Sequence, residues 1–339
     1  MVLDRRGRPL RDLRLSVTDR CDLRCTYCMP EEHYAWLPRE DILSFDECER
    51  VVAAFAAVGV SSVRITGGEP LLRRDLPAVV ARVANVEGVD EVSLTTNGTQ
   101  LTRYAGELRA AGLARVTVSL DTLRADRHAA ITSRDNHATV LAGIGAVRGA
   151  GFTGTKINTV VMRGVNDDEL MDMLDFAASL DAEVRFVEYM DVGGATRWSH
   201  DKVLPAAELL ERVGDALGAP LPIASRPSAP AVRYQLPDGR VFGVIASTTT
   251  PFCAACDRSR VTADGVWYRC LYATAGTDLR SPLRAGATVD ELAMLIAAEW
   301  SERSDQGAVD RAGASERSAS VPVTLLQRDP HLEMHTRGG

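Results

Sequence analysis

Cys21, Cys25 and Cys28 crowd into one short stretch, Cys21-Asp-Leu-Arg-Cys25-Thr-Tyr-Cys28, with no fourth cysteine nearby. Iron–sulfur clusters are held by cysteine thiolates, and a cubane of four irons normally takes four of them. Three ligands leave one iron open, and an open coordination position marks chemistry rather than scaffolding. The competing use of clustered thiols, a zinc site, takes four protein ligands when structural, with paired Cys-x2–4-Cys spacing. A second triplet, Cys253-x2-Cys256-x13-Cys270, again has no histidine at a sensible fourth spacing. Alone it fits an incomplete zinc ribbon as well as it fits iron and sulfur; beside the first triplet it suggests a second cluster with its own open iron. The run Cys256-Asp-Arg258-Ser-Arg260 puts two guanidinium groups next to that site. The planar donor fork of arginine suits phosphate. No Gly-x4-Gly-Lys-[Ser/Thr] loop occurs, so a nucleotide triphosphate would have to be held by side-chain cations.

The elements that must position these groups are legible as an alternation. The first triplet follows the β-prone run 13–17 and so belongs at the carboxyl end of a strand, where βα folds place active sites. Strands are expected at 62–66, 91–95, 115–119, 155–162 and 184–189. Helices are expected at 45–58, with Ser44 as N-cap and Gly59 as stop, and at 76–86, 101–111, 138–150 and 168–180. About six βα units in a row mean a parallel sheet that curls towards a barrel but falls short of the eight that close one. The expected fold class is therefore α/β, a partial (βα)6 TIM-like barrel with a small C-terminal α+β domain carrying the second cysteine cluster. In that C-terminal part, 206–217 reads as a helix and 220–230, rich in Pro, Ser and Ala, as a linker. Segments 232–236 and 241–245 read as a hairpin across Pro237-Asp-Gly239, and 260–262 and 267–271 complete a small antiparallel unit. A last helix covers 289–303, and 304–320 is polar enough to be mobile. The expected domains are 1–219, 220–303 and a tail segment, 304–339.

The formal net charge of −7 gives no reason to expect nucleic acid or an anionic membrane as a partner. The seven cysteines divide as two triplets and Cys48, which is not a disulfide framework. It suits metal binding in a reducing compartment. Cys48 itself, inside a helix, reads as a small buried hydrophobe, and His33 as a surface side chain. The amino terminus is charged and lacks an apolar core, so no signal peptide is read there. The longest apolar run, 51–60, is far short of the roughly 20 residues that span a bilayer. The expected location is cytoplasmic.

Cys-x3-Cys-x2-Cys resembles the cluster motif of the radical S-adenosylmethionine (SAM) enzymes, in which the open iron binds the amino and carboxylate groups of SAM. Gly67-Gly-Glu69-Pro70 is similar to their site for the SAM amino group. In order along the chain, 15–30, 63–70, 94–98 (Leu-Thr-Thr-Asn-Gly), 118–121 (Val-Ser-Leu-Asp), 156–158, 185–193 and the 253–270 block resemble the GTP 3′,8-cyclases of molybdenum-cofactor biosynthesis. So does the terminal Gly338-Gly339. The resemblance implies two [4Fe-4S] clusters, on Cys21, Cys25 and Cys28 and on Cys253, Cys256 and Cys270. It implies SAM against Tyr27, Gly68, Ser119 and Met190. It implies GTP facing Arg14, Arg64, Thr95, Lys156, Arg185, Arg258, Ser259 and Arg260, with catalytic roles for Arg258, Arg260, Gly338 and Gly339. It further implies a SAM-derived radical that cyclises GTP, a homodimer, an electron donor and a following pathway enzyme. Apart from Arg14, each assigned polar residue is expected at or near the carboxyl end of a strand or beside a cluster cysteine. Two readings from other classes stand beside this one: a peptide-modifying radical SAM enzyme, and a zinc-binding interaction module. The chain departs from the family in the absence of His from 304–320 and in Arg337, where an apolar residue is more usual; both bear on how the tail packs.

Overall fold

The computed structural model describes residues 1–313 and 321–338. Its first part alternates strand and helix: β1 Asp12–Ser16, α1 Phe45–Ala57, β2 Ser62–Thr66, α2 Leu76–Ala84, β3 Glu91–Thr96, α3 Leu101–Ala110 and β4 Arg115–Ser119. Then come α4 Ala125–Thr132, α5 His137–Gly149, β5 Lys156–Val161, α6 Leu170–Ser179, β6 Glu183–Glu188 and α7 Ala206–Leu217. The C-terminal part supplies β7 Leu221–Ile223, β8 Val232–Gln235, β9 Val241–Ile245, β10 Arg258–Val261, β11 Val266–Tyr268 and β12 Thr277–Asp278. The chain continues with α8 Arg280–Arg284, α9 Val289–Ser301, α10 Gly307–Ala312, α11 Val323–Leu326 and α12 Met334–Arg337.

Strands β1 to β6 pair in sequence order and in parallel, as a partial βα barrel requires. The C-terminal strands differ from the expected separate antiparallel unit. They divide between the two edges of the barrel sheet: β10 pairs parallel with β1, and β9 pairs parallel with β6. The hairpin β8–β9 and the pair β10–β11 then add antiparallel strands outside those. The physical reason is the edge itself, since β1 and β6 would otherwise each present a row of unpaired backbone groups.

Alternation along each strand separates two faces. Leu13, Leu15, Val63, Ile65, Leu94, Val116 and Val118 are buried beneath the helices. The other face carries Arg14, Arg64, Ser93, Thr117, Asn158 and Arg185, which alternate with the apolar set. Parallel strands buried on both faces normally read as continuous apolar runs; here the inner face is polar and cationic, which suits a chamber rather than a packed core. Helix α1 begins in a capping box, with Ser44 accepting from the Glu47 amide and the Glu47 carboxylate accepting from the Ser44 amide. Its Phe55 packs edge-on against Trp267 of β11, ring centres 5.5 Å apart, and so ties the C-terminal strands to the barrel.

Three local expectations are corrected. The helix expected at 138–150 is preceded by a second one, α4, separated by Ser133 in the left-handed conformation (φ 56°). The expected linker at 220–230 contains the edge strand β7. Of the stretch expected to be mobile, 307–312 is helical in α10, and 314–320 lie outside the described residues.

Candidate active site

The two cysteine triplets stand at opposite ends of β1. Cys21, Cys25 and Cys28 lie in the loop after its carboxyl end. Cys253 and Cys256 come just before β10, whose Arg258 is level with Asp12, the first residue of β1. Cys270 follows β11, which runs antiparallel to β10 and returns to the same end. A strand of this length spans about 16 Å at roughly 3.3 Å per residue. One cavity of about 360 Å³ is lined by all six thiols.

Of the residues expected at SAM, Tyr27, Gly68, Ser119 and Met190 all line this cavity. Of those expected at GTP, Arg14, Thr95, Arg258, Ser259 and Arg260 line it, whereas Arg64, Lys156 and Arg185 do not. Arg64 instead donates to the hydroxyls of Thr95 (3.2 Å) and Thr117 (3.3 Å), and Arg185 to Glu183 (3.0 Å). The expectation of carboxyl-end positions is corrected as well. Lys156 is the first residue of β5, and Arg64 and Arg185 sit mid-strand. The second triplet lies at the amino end of β1, and the polar face of the strands carries its cations below their carboxyl ends as well. Arg14, level with Arg64 on one side and Arg260 on the other, is then where such a row must pass.

The electrostatics of this row favour an anion. Burial lowers the Arg14 guanidinium well below its ordinary value, and Arg260, Arg64 and Arg258 lower it further. Arg260 is brought down to about 10 by burial, then by Arg258 and Arg337. Lys156 falls to about 7 through burial and the neighbouring Arg185, Arg115 and Arg64. Like charges crowded in a buried space are relieved by an opposite charge. Arg14 Nε, Arg258 Nε and Asn158 Oδ1 are buried without hydrogen-bond partners among the described residues, on side chains that line the cavity.

At the first triplet, burial pushes the Cys21 thiol up to about 12 and raises Cys25 and Cys28. Such thiols become ligands when a cation takes the place of the proton. Glu69 is buried beside them, accepting from the amides of Leu71 (3.0 Å) and Asn97 (2.7 Å) and the Thr96 hydroxyl (2.7 Å). A Cβ on Gly68 would stand 2.6 Å from the Asp19 carbonyl oxygen and closer still to that of Arg20, so the cluster loop lies directly on this glycine. Tyr27 donates to Asp121 Oδ2 at 2.7 Å, a carboxyl raised to about 6 by burial. At the second triplet, burial would raise the Cys256 thiol, but Arg258 and Arg303 bring it below its ordinary value. Among the described residues no three His, Cys, Asp or Glu side chains converge as a single-ion site requires. The fit to iron–sulfur clusters therefore rests on the donor set: three thiols and an adjoining polar chamber at each end.

The tail enters the same space. The Gly338 carbonyl accepts from Arg260, and the Thr336 carbonyl accepts from the Ser16 hydroxyl (3.1 Å). Gly339 lies outside the described residues. Arg337 is buried over the Tyr268 ring (4.2 Å) and donates to the carbonyls of His331 (2.6 Å) and Leu271 (2.7 Å), so this departure anchors the tail. His335 packs against Tyr34 and Trp36. Sequence reasoning passed over Asp121 as a partner of Tyr27, and over Arg8 and Arg303 beneath the second triplet, because their partners are distant in the chain. Cys48 is buried as expected.

The pattern of the Radical SAM superfamily matches residues 15–177, and that of Molybdenum Cofactor Synthesis C matches 182–309. GTP 3′,8-cyclase 1 of Mycobacterium tuberculosis is 56% identical over the whole of this chain and 95% of its own length. The chain belongs to the GTP 3′,8-cyclases. The cyclase of Acidothermus cellulolyticus is 47% identical over the whole chain and 99% of its own, and that of Streptomyces coelicolor 47% over 91% and 92%. Membership of the radical SAM superfamily makes SAM and a [4Fe-4S] cluster cofactors of this cyclase. Among solved structures, Streptococcus suis SuiB bound to S-adenosylmethionine superposes with a TM-score of 0.59 at 16% identity, covering 88% of this chain and 77% of that one. That likeness concerns the fold. Among the described residues no helix is long and apolar enough to cross a membrane.

Proposed function

We propose that the chamber converts GTP to 3′,8-cyclo-7,8-dihydroguanosine 5′-triphosphate, with the first triplet and SAM at one end and a second [4Fe-4S] cluster and the guanine base at the other. The observation that carries this reading is the single cavity lined by six thiols together with Arg14, Arg258 and Arg260. When bound, the first cluster and SAM supply the one-electron chemistry that removes the 3′ hydrogen of GTP. The chain holds the reactants. Cys21, Cys25 and Cys28 ligate the first cluster; Tyr27, Gly68, Ser119 and Met190 seat SAM; Cys253, Cys256 and Cys270 ligate the second cluster. Arg14, Arg258 and Arg260, with Thr95 and Ser259, bind the nucleotide. Arg64, Lys156 and Arg185 add positive charge further along the barrel. A nucleotide spanning two fixed ends keeps its ribose still, as hydrogen transfer at contact distance requires. Arg260 and Gly338 join the tail to that site.

A peptide substrate would leave the buried arginines without counter-charge, which favours the triphosphate over the peptide-modifying reading. The reading also includes an external electron donor, a following enzyme that consumes the cyclised nucleotide, a homodimer and a cytoplasmic location. The test is anaerobic turnover with GTP carrying deuterium at C3′. Deuterium should appear in 5′-deoxyadenosine, together with a cyclised nucleotide. SAM cleavage that ignores GTP and leaves its deuterium in place would overturn the assignment. Sedimentation of the same anaerobic protein tests the dimer.

A further inference from the structure

Beneath the second triplet lies a buried group that the proposed chemistry does not use. Asp4, Arg8 and Arg303 are each at least nine-tenths buried, at 6%, 2% and 2% exposure. Asp4 Oδ2 accepts from Arg8 Nε at 2.6 Å and stands 3.8 Å from Arg303 Nη1. The Asp4 Oδ1 atom accepts from the Arg8 amide at 2.9 Å. Each arginine then reaches the backbone of one cysteine. Arg8 Nη1 donates to the Cys253 carbonyl at 3.0 Å, and Arg303 Nη1 to the Cys256 carbonyl at 3.0 Å. The two come from opposite ends of the chain: Arg8 precedes β1, and Arg303 follows α9, whose Trp300 lies under the Arg303 guanidinium and donates to the Arg8 carbonyl. Arg8 Nη2 has no partner among the described residues, and Arg8 and Arg303 both line the chamber.

We propose that Arg8 and Arg303, gripped by the shared carboxylate of Asp4, are positioning residues for the second cluster: they fix the Cys253–Cys256 loop and raise the reduction potential of the cluster it holds. This rests on the two-cluster reading above. A salt bridge whose task was only to join distant parts of the chain needs neither contact with two ligand-bearing residues nor a buried unspent donor on a side chain that lines the chamber. Reduction adds negative charge to a cluster, so fixed cations and hydrogen-bond donors around it favour the reduced state. Other charges at this end are Arg258, Arg260, Arg337, Asp257 and Asp305, the last accepting from Arg303 Nε at 3.1 Å and, through its carbonyl, from Arg8 Nη1 at 2.9 Å. Removing one arginine takes positive charge from the side of the cluster that Arg8 and Arg303 face, and so disfavours the added electron.

The test uses the full chain with Cys21, Cys25 and Cys28 replaced by Ser, so that the second cluster alone is observed, in parallel with the unaltered protein. Iron and sulfide are assayed after anaerobic reconstitution, and the midpoint potential is followed by electron paramagnetic resonance. The unaltered protein should hold about eight irons per chain, two cubanes; about four would sink the two-cluster reading itself. With that reading intact, Arg8→Met and Arg303→Met should each lower the reduced-to-oxidised ratio at fixed potential about tenfold, a fall of about 59 mV for a one-electron couple. Arg8→Lys and Arg303→Lys, which keep the charge and lose the fork, should recover most of the potential while holding iron less firmly. A variant that loads iron normally with an unmoved potential overturns the inference. So does a Lys variant that falls as far as its Met counterpart. If the Met variants fail to fold, the Lys pair still decides: unaltered iron retention in both counts against the clamp.

Discussion

Arg260 donates through Nη1 to the carbonyl oxygen of Gly338, so the end of the described chain rests inside the barrel on one of the guanidinium groups that line the chamber. Gly338 has φ +77°, and a Cβ there would stand 2.7 Å from Ser16 Oγ and closer still to Thr66 Cγ2. Both features demand glycine. Gly338→Ala should expel the tail, and turnover should fall between about 10- and 100-fold, as for a misplaced positioning group. Cluster content should be unchanged. Expulsion can be read directly: Arg337 is only 4% exposed, so trypsin should cut after it in the variant and spare it in the unaltered protein. Protection in both proteins, with equal turnover, would show that the tail contact is incidental.

Lys156 gives a second prediction, one that decides whether the triphosphate reaches beyond the chamber wall. Its amine is held near pH 7 by burial and by Arg185, Arg115 and Arg64. An arriving polyanion favours the charged form and raises the value towards that of free lysine. Binding then takes up a proton, and GTP affinity should fall as pH rises above about 7. Calorimetry in two buffers of different ionisation enthalpy measures the uptake. Lys156→Met should abolish it and weaken binding; uptake that survives the substitution would place Lys156 away from the nucleotide.

The parts of this site that were legible in the sequence are those encoded locally. Cys-x3-Cys-x2-Cys, Gly67-Gly-Glu69-Pro70 and the alternating βα pattern each carry their geometry within a few residues, and strands β2, β3 and β4 lie within a residue of expectation. What was illegible depends on pairings between distant segments. Arg14 looked misplaced because active sites are expected at the carboxyl ends of strands. It is in place once β10 is seen to lie parallel to β1 and to bring the second triplet to the other end. The same long-range pairing explains why the C-terminal strands looked like a separate unit, since hairpin and turn signals say nothing about which barrel edge they will meet. Arg8 and Arg303 are an extreme case: their contact with Cys253 and Cys256 has no local signature at all.

Gly68 yields a third prediction, on cofactor loading. A Cβ there would collide with the carbonyls of Asp19 and Arg20. Gly68→Ala must push back the stretch that leads into Cys21, while the core beneath, Ile65 and Leu94, is untouched. The variant should fold, yet hold the first cluster poorly and lose the spectral change that SAM produces on it. The second cluster proposed on Cys253, Cys256 and Cys270, at the other end of β1, should load as before. Iron assays on Gly68→Ala and on Gly68→Ala combined with Cys253→Ser separate the two sites. Loss of both clusters together would mean that the two ends are not independent.

Glu69 supplies the last prediction, in which the sign is informative. Its carboxyl is raised from 4.5 to about 7, burial outweighing the hydrogen bonds from Asn97, Thr96 and Leu71. In the folded chain the proton is kept until about pH 7; in the unfolded chain it leaves near 4.5. Between those values the folded state binds more protons, so its stability must fall as pH rises through the window, and stays lower above it. The contribution is on the order of 3 kcal/mol at 1.36 kcal/mol per pH unit. Asp121 and Glu333, also raised by burial, act in the same direction, so the slope of the unaltered protein is a sum. Glu69→Gln removes one part of it. The variant should be less stable at pH 5, because in either orientation its amide nitrogen faces a backbone donor, the Asn97 N–H or the Leu71 N–H. It should also lose less stability between pH 5 and 8. Urea midpoints of the cluster-free chain at those two pH values measure both differences. A variant as steep as the unaltered protein would show that Glu69 is already ionised when folded, and that the three hydrogen bonds, rather than burial, govern it.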